Sequence, residues 1–384
     1  MINLPARTLI PQSMYFIHML NTGTAHLPLH GGYAPRWLLK RMQEMARGIA
    51  LIMLDDFGRV EFLRRISDPF WFQAFGCVLG FDWHSSGVTT VVTGVLKAAI
   101  DPSETGIAVC GGKGVHSRAV PHEIAQFGEA MGLSTGTIDS MVYTSRIAAK
   151  VDNSAIQAGY HLYHHCFIMT EDAKWAIVQQ GMNPANKMAR RYHWLSDDTS
   201  DLVVEPHKGI VGRRERNVLN MTARDSEECR KASLDIARSD PAKLKKQVFR
   251  SADLRQTPLE RWMGRNVLVM PWHINWSALE SAYNFQPKNY EGLLALNGIG
   301  PSTIRGLALI SDLVYGAQPC WQDPVKYSFA FGGKDGVPFP VNREDMDEAI
   351  TYLDSAIKNA RLGDKDKRNA LKRLKDIASL AGNL

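Results

Sequence analysis

Apolar positions recur at three- and four-residue spacing from Trp37, where Trp37, Leu38, Met42, Met45, Ile49, Ile52 and Met53 fall on one side of a helix. Pro35, after the Gly31-Gly32 turn, suits a first helical position. Ser67-Asp68-Pro69 interrupts this pattern, and a second apolar segment runs from Phe70 to Phe81. Thr105 to Val109 reads as a short strand closed by Gly111-Gly112-Lys113-Gly114. From Tyr160 the text turns β-like: YHLYHHCFIM and WAIVQQGM are β-rich runs separated by the polar TEDAK, which predicts a hairpin. Leu202 to Glu205 and Val218 to Thr222 are further strand candidates. Helical spacing dominates from about Ser226.

These patterns predict an α/β (mixed) N-terminal domain followed by an all-α domain. Residues 1–22 have no sustained period and read as a leader. Residues 23–225 form the mixed, catalytic part, 226–350 a helical domain with a hairpin at 290–315, and 351–384 a basic helical segment. No run approaches the roughly 18 apolar residues of a membrane span, and no secretory signal pattern opens the chain, so the expected address is the cytoplasm. Five widely separated cysteines contain no CxxC pair, so no iron–sulfur cluster is expected.

Charge sharpens the picture. The formal net charge is +6, and the stretch from Lys358 to Lys375 alone carries a surplus of that size. A second basic cluster comprises Lys187, Arg190, Arg191, Lys208, Arg213, Arg214 and Arg216. Such concentrations fit a polyanionic partner, although a solvated terminal helix would have the same composition.

The most informative stretch is YEGLLALNGIGPSTIRGLALISDLVY, Tyr290 to Tyr315. A short apolar helix ends at Leu296, Gly298-Ile299-Gly300 forms a turn, and a second helix carries Ile304, Leu307, Ile310 and Val314 on one stripe. The turn resembles the helix-hairpin-helix DNA-binding motif, with its L-x-G-(I/V)-G core. Glycines let the backbone approach a phosphate oxygen, and the amides opening the second helix can bind that anion. Gly298, Ile299, Gly300, Ser302, Thr303 and Arg305 are therefore the expected DNA contacts, with Lys372 and Arg373 in the basic tail. Such contacts position the protein on the DNA backbone without reading sequence.

Several blocks, among them TGTAHLPLHGGYAPRWL, DPFWFQAFGCVLGFDWHSSGVTTVVTG, YHHCFIM, ARRYHWL and SFAFGGKDGVPFPV, resemble the prokaryotic domain-of-unknown-function family 763 from about Thr22 to Lys375. That resemblance implies a role in DNA processing. The chain departs from the family pattern at Ser302 and Phe331, where a lysine and a histidine are usual.

If the hairpin delivers DNA, the first domain should carry the chemistry. Asp82, His84, Lys150, Asp152 and His164 are the candidate catalytic groups. Asp82, Asp152, His165, Glu205 and His207 are the candidate ligands of a divalent Mg or Mn ion, which would activate a water against a phosphodiester. His164 and His165 are adjacent on a strand and must face opposite sides. Gly111-Gly112-Lys113-Gly114 lacks phosphate-loop spacing, so no nucleotide is expected. The leading reading is a metal-dependent nuclease. A helix-hairpin-helix glycosylase using Asp323 and a non-catalytic DNA-binding scaffold are the alternatives, and a homodimer is compatible with all three.

Overall fold

Asp68 ends one helix and starts the next. It separates α1 (Arg36–Ile66) from α2 (Pro69–Leu79), accepting the Trp71 amide at 2.8 Å while Pro69 takes the first helical position. The buried stripe of α1 begins at Met42 and includes Met45, Ala46, Ile49 and Met53, whereas Trp37 is exposed. Gly58 (φ 80°) breaks the helix eight residues before its end. The computed structural model describes residues 27–29, 36–80, 85–242, 244–245, 274–326, 351, 353–359 and 363–382. The expected leader lies outside them.

After α3 (Ser86–Ala99) and α4 (Pro102–Thr105), the chain enters a strand longer than predicted. With β1 at Leu27–Pro28, β2 spans Ile107–Lys113 and runs through both glycines instead of ending before them. The reason is a close approach: a Cβ at Gly111 (φ +91°) would lie 2.2 Å from the His165 carbonyl oxygen of the paired strand. α5 (Val120–Ala130) and α6 (Thr135–Lys150) follow, and α6 runs into a single π-turn, Val151–Ala155, before the short β3 (Ile156–Gln157).

The TEDAK segment joins β4 (His161–Thr170) to β5 (Trp175–Asn183), and ARRYHWL supplies β6 (Met188–Leu195). The antiparallel sheet has the order β1-β6-β5-β4-β2, with β7 (Gly209–Val211) also on β6. Leu202 to Glu205 is not a strand. Asp201 accepts the amides of Val203 and Val204, and Glu205 adopts φ 47°, which curls the segment into a loop. Val218 to Thr222 contributes only β8 (Leu219–Asn220), paired with β3.

Both faces of the sheet are covered. Phe167, Met169, Ile177, Tyr192 and Trp194 pack with α5, α6 and the later helices, while Cys166, Ile168, Ala176 and Val178 pack with α1, α2 and α3. Burial on both faces explains why β4 and β5 read as nearly continuous apolar runs. The later helices are α7 (Glu227–Ala237), α8 (Trp276–Phe285), α9 (Tyr290–Ala295), α10 (Pro301–Tyr315) and α11 (Asp364–Gly382).

These helices do not build a separate core. Cys229, Leu293, Ile304 and Leu307 belong to the cluster that contains Phe167 and Trp194. The basic α11 buries Ala370 and Leu374 beside the residues of α2. Among the described residues, no helix is long and apolar enough to cross a membrane.

Candidate nucleic-acid interface and an adjoining polar pocket

Asn289 accepts the Gly292 amide at 2.8 Å and starts α9, and the chain turns over Leu296–Gly300 into α10. Ile299 is fully buried, with Leu293, Leu294 and Ile304, and clamps the two helices. Gly298 sits at φ +81°, and a Cβ there would press on Asn275 Nδ2 (2.9 Å) and Ala278 (3.0 Å). Gly300 is extended, and a Cβ there would meet nothing within 4 Å. No side chain caps α10, so the amides of Ser302 and Thr303 have no partner among the described residues.

The carbonyls of this turn are held from below. Lys150 Nζ donates to the Ile299 oxygen at 2.7 Å and the Leu296 oxygen at 3.4 Å, and Gln157 Nε2 donates to the Pro301 oxygen at 2.8 Å. Partial burial pushes the Lys150 ammonium below its usual pKa. Lys150, a candidate catalytic cation, thus serves as the brace of the hairpin.

Two expected DNA contacts point inward. The Thr303 hydroxyl is buried and accepts the Asn275 amide at 3.3 Å, and Arg305 packs over the Trp321 ring at 5.5 Å. Arg373 donates to the Val78 carbonyl at 2.8 Å, while Lys372 on the same helix is exposed. Arg190 and Arg191, from the mid-chain basic cluster, are completely buried on β6. Asp323 is equally buried, ion-paired to Arg190 at 2.6 Å, and accepts the Glu215 amide at 2.7 Å. Asp323, the residue of the glycosylase alternative, is thus held by an ion pair and a backbone amide.

His164 and His165 point to opposite faces, as adjacent strand residues must. Thr93 gives its proton to the Thr89 carbonyl (2.8 Å), so His164 Nε2 donates to Thr93 Oγ1 (3.1 Å), and Nδ1 has no partner among the described residues. Burial drives His164 down to a pKa of about 3, with His165 and Lys113 adding to the effect. His165 falls to about 4, again through burial, partly offset by its bond to Gln179.

The opposite face carries a continuous polar chain. Asp152, on the π-turn, is fully buried; Oδ1 faces His207 Nε2 at 2.5 Å, and Oδ2 accepts Gln179 Nε2 at 2.6 Å and Trp194 Nε1 at 3.1 Å. Burial raises the Asp152 pKa, opposed by His207 and Trp194. Because Gln179 turns its amino group to the carboxylate, its oxygen faces His165 Nδ1 at 2.9 Å. His165 therefore carries its proton on Nδ1, and its bare Nε2 accepts the Ser145 hydroxyl at 2.7 Å.

Ser145 and His165 line an open cavity of about 180 Å³, together with Ser117, Arg118, Arg146 and Tyr163. Arg118 and Arg146 are exposed and make no ion pair among the described residues. Arg146 and Lys150 are four residues apart on α6, so the cavity wall and the hairpin brace lie within about one helical turn of each other, ~5.4 Å.

The described members of the expected metal set are engaged with other partners. Asp82 and His84 lie outside the described residues. The oxygens of Asp152 face three N–H groups, both nitrogens of His165 are engaged, and Glu205 sits on a surface loop 3.3 Å from Arg224. Among the described residues, no three His, Cys, Asp or Glu side chains form a group that could hold a metal ion.

Sequence reasoning missed Ser145, Arg118 and Arg146. The available signal was Thr144-Ser145, two small polar residues inside the buried stripe of α6 otherwise made by Ile138, Met141, Ile147 and Ala148. A family described as a protein of unknown function, DUF763, matches residues 23–341, which include the hairpin and stop short of α11. No curated protein and no solved structure matches the chain.

Proposed function

The chain belongs to the DUF763 family, and we propose that it is a DNA-processing enzyme that grips the sugar-phosphate backbone on the turn between α9 and α10 and hydrolyses a phosphodiester beside it. One observation carries this reading: among the described residues, the N-terminus of a 15-residue helix offers uncapped amides behind a glycine whose Cβ would meet nothing within 4 Å. Backbone N–H groups and the positive end of the helix dipole favour a phosphate oxygen there. Lys150 and Gln157 hold the carbonyls of the same turn, which keeps it rigid before DNA arrives. The turn and its two helices then work as a helix-hairpin-helix, and exposed Lys372 adds long-range attraction.

The reaction is assigned to side chains placed beside the hairpin, with no step routed through a metal. The buried Arg190–Asp323 pair favours this reading over base excision by Asp323.

Gly300→Val is the sharpest test of the grip. The site has room for the side chain in the free protein, and its extended φ of −128° suits valine, so melting temperature should stay unchanged. Affinity for duplex DNA should fall about tenfold, roughly 1.4 kcal/mol, equally for unrelated sequences. Wild-type affinity should fall steeply with salt. Full affinity in the valine variant would refute the assignment.

A further inference from the structure

We propose that the cavity between Arg118 and Arg146 is a phosphoryl-transfer site, in which Ser145 attacks a nucleic-acid phosphodiester and His165 carries the proton. The proposal rests on the DNA-binding reading above for the delivery of substrate, and on separate residues for its chemistry.

Three features converge at this cavity. The first is the direction of the hydrogen bonds. A buried carboxylate, Asp152, fixes the Gln179 amide, the amide fixes the His165 tautomer, and the tautomer aims a bare nitrogen at the Ser145 hydroxyl, 2.7 Å away. A nucleophile, a base and a group that orients the base are what activation of a hydroxyl requires. A reversed amide or the other tautomer would break the sequence, and Trp194 and His207 help keep the carboxylate in place.

The second feature is charge. Two exposed guanidinium groups flank the cavity, each able to offer a fork of donors to phosphate oxygens. The third is size. About 180 Å³ is room for roughly six waters at about 30 Å³ each, below the roughly 300 Å³ at which small-molecule pockets begin. A phosphate with part of its sugar fits that volume. The cavity also opens on α6, the helix whose last residue, Lys150, braces the hairpin.

The reaction balances with water as the second reactant. Ser145 Oγ forms a bond to phosphorus as its proton moves to His165 Nε2, and the P–O bond to one nucleoside breaks. The departing oxygen takes that proton and leaves as an alcohol. Water then attacks the phosphoserine, giving a proton to His165 Nε2, and the Oγ–P bond breaks with the proton returned to Oγ. One phosphodiester and one water yield a phosphate monoester and an alcohol. Asp152 and Gln179 act as positioning residues, because Gln179 touches His165, Asp152 touches Gln179, and neither is assigned a contact with the substrate.

The test uses the full chain and end-labelled single-stranded and duplex oligonucleotides in excess EDTA. Cleavage should proceed, and acid quenching should trap label covalently on the protein. Ser145→Ala should abolish both, at least 100-fold, with oligonucleotide binding within about twofold of wild type. Arg146→Gln changes only an exposed side chain, so it should keep the melting temperature and raise KM about tenfold, which reads the site even if Ser145→Ala folds poorly. Absence of both cleavage and adduct in wild-type protein that binds DNA would overturn the proposal, as would an active Ser145→Ala or an unaltered KM in Arg146→Gln. Failure of the wild type to bind DNA would sink the hairpin reading instead.

Discussion

Asp323→Ala should lose about 3–5 kcal/mol of folding stability, the usual cost of stripping one partner from a buried ion pair. Arg190 and Asp323 are fully buried and 2.6 Å apart, and the Arg190 guanidinium also lies over the Tyr160 ring at 4.6 Å. Removing the carboxylate leaves a full positive charge in the interior, and it also strips the Glu215 and Val325 amides of their acceptor. Set against a typical total of about 5–15 kcal/mol, the loss should be plain in a urea titration. Converting both partners to apolar residues, Arg190→Met with Asp323→Leu, should recover part of it, since a buried pair is often replaceable where a lone buried charge is not. An alanine variant of normal stability would show that this pair is not what anchors the segment after α10 to β6.

Acidification should weaken the fold well above the range in which carboxylates protonate. His164 and His165 are neutral in the folded chain, with pKa values lowered to about 3 and about 4, against about 6.5 when unfolded. Their contribution is complete above about pH 6.5 and is lost as the pH falls toward those lowered values, because only the unfolded chain takes up the protons. At pH 5 each group should contribute about 2 kcal/mol less than at pH 7, or about 4 kcal/mol together. His193 is displaced in the same direction, chiefly by burial and then by Arg191. Urea midpoints measured at pH 7 and pH 5 check this. His164→Gln and His165→Gln should each reduce the difference by about 2 kcal/mol, and a pH-independent midpoint in the wild type would contradict the burial of these rings.

Local signals were legible, and long-range ones were not. The stripe of α1, the Asp68-Pro69 start of α2, the TEDAK hairpin and the Gly298–Gly300 turn each follow from residues a few positions apart. The extension of β2 through Gly111 and Gly112 could not be read that way. Glycines there look like a turn, and only the His165 carbonyl on β4 explains why a side chain is excluded. ARRYHWL hid a central strand behind two arginines, because the partner that neutralises Arg190 lies 133 residues later.

The candidate site divides in the same way. The glycine turn between two apolar helices is legible in the sequence, and Asp152, His165 and His207 stand out there as clustered polar residues. Their role was not visible. Asp152 and His165 belong to a hydrogen-bonded chain in the structure, and its end point, Ser145, is concealed in the sequence as one small polar residue on an otherwise apolar helix face. The basic tail was read as a phosphate-tracking surface, yet the face bearing Ala370 and Leu374 is buried in the core shared with α2, and Arg373 is committed to Val78.

Amide hydrogen exchange of the full chain, with and without a short DNA duplex, tests the central claim most directly. The account predicts new protection on duplex addition over residues 296–305, with a smaller increase along α6, and no comparable change on β6. Protection confined to other surfaces, with Ser302 and Thr303 exchanging at the same rate in both samples, would contradict it.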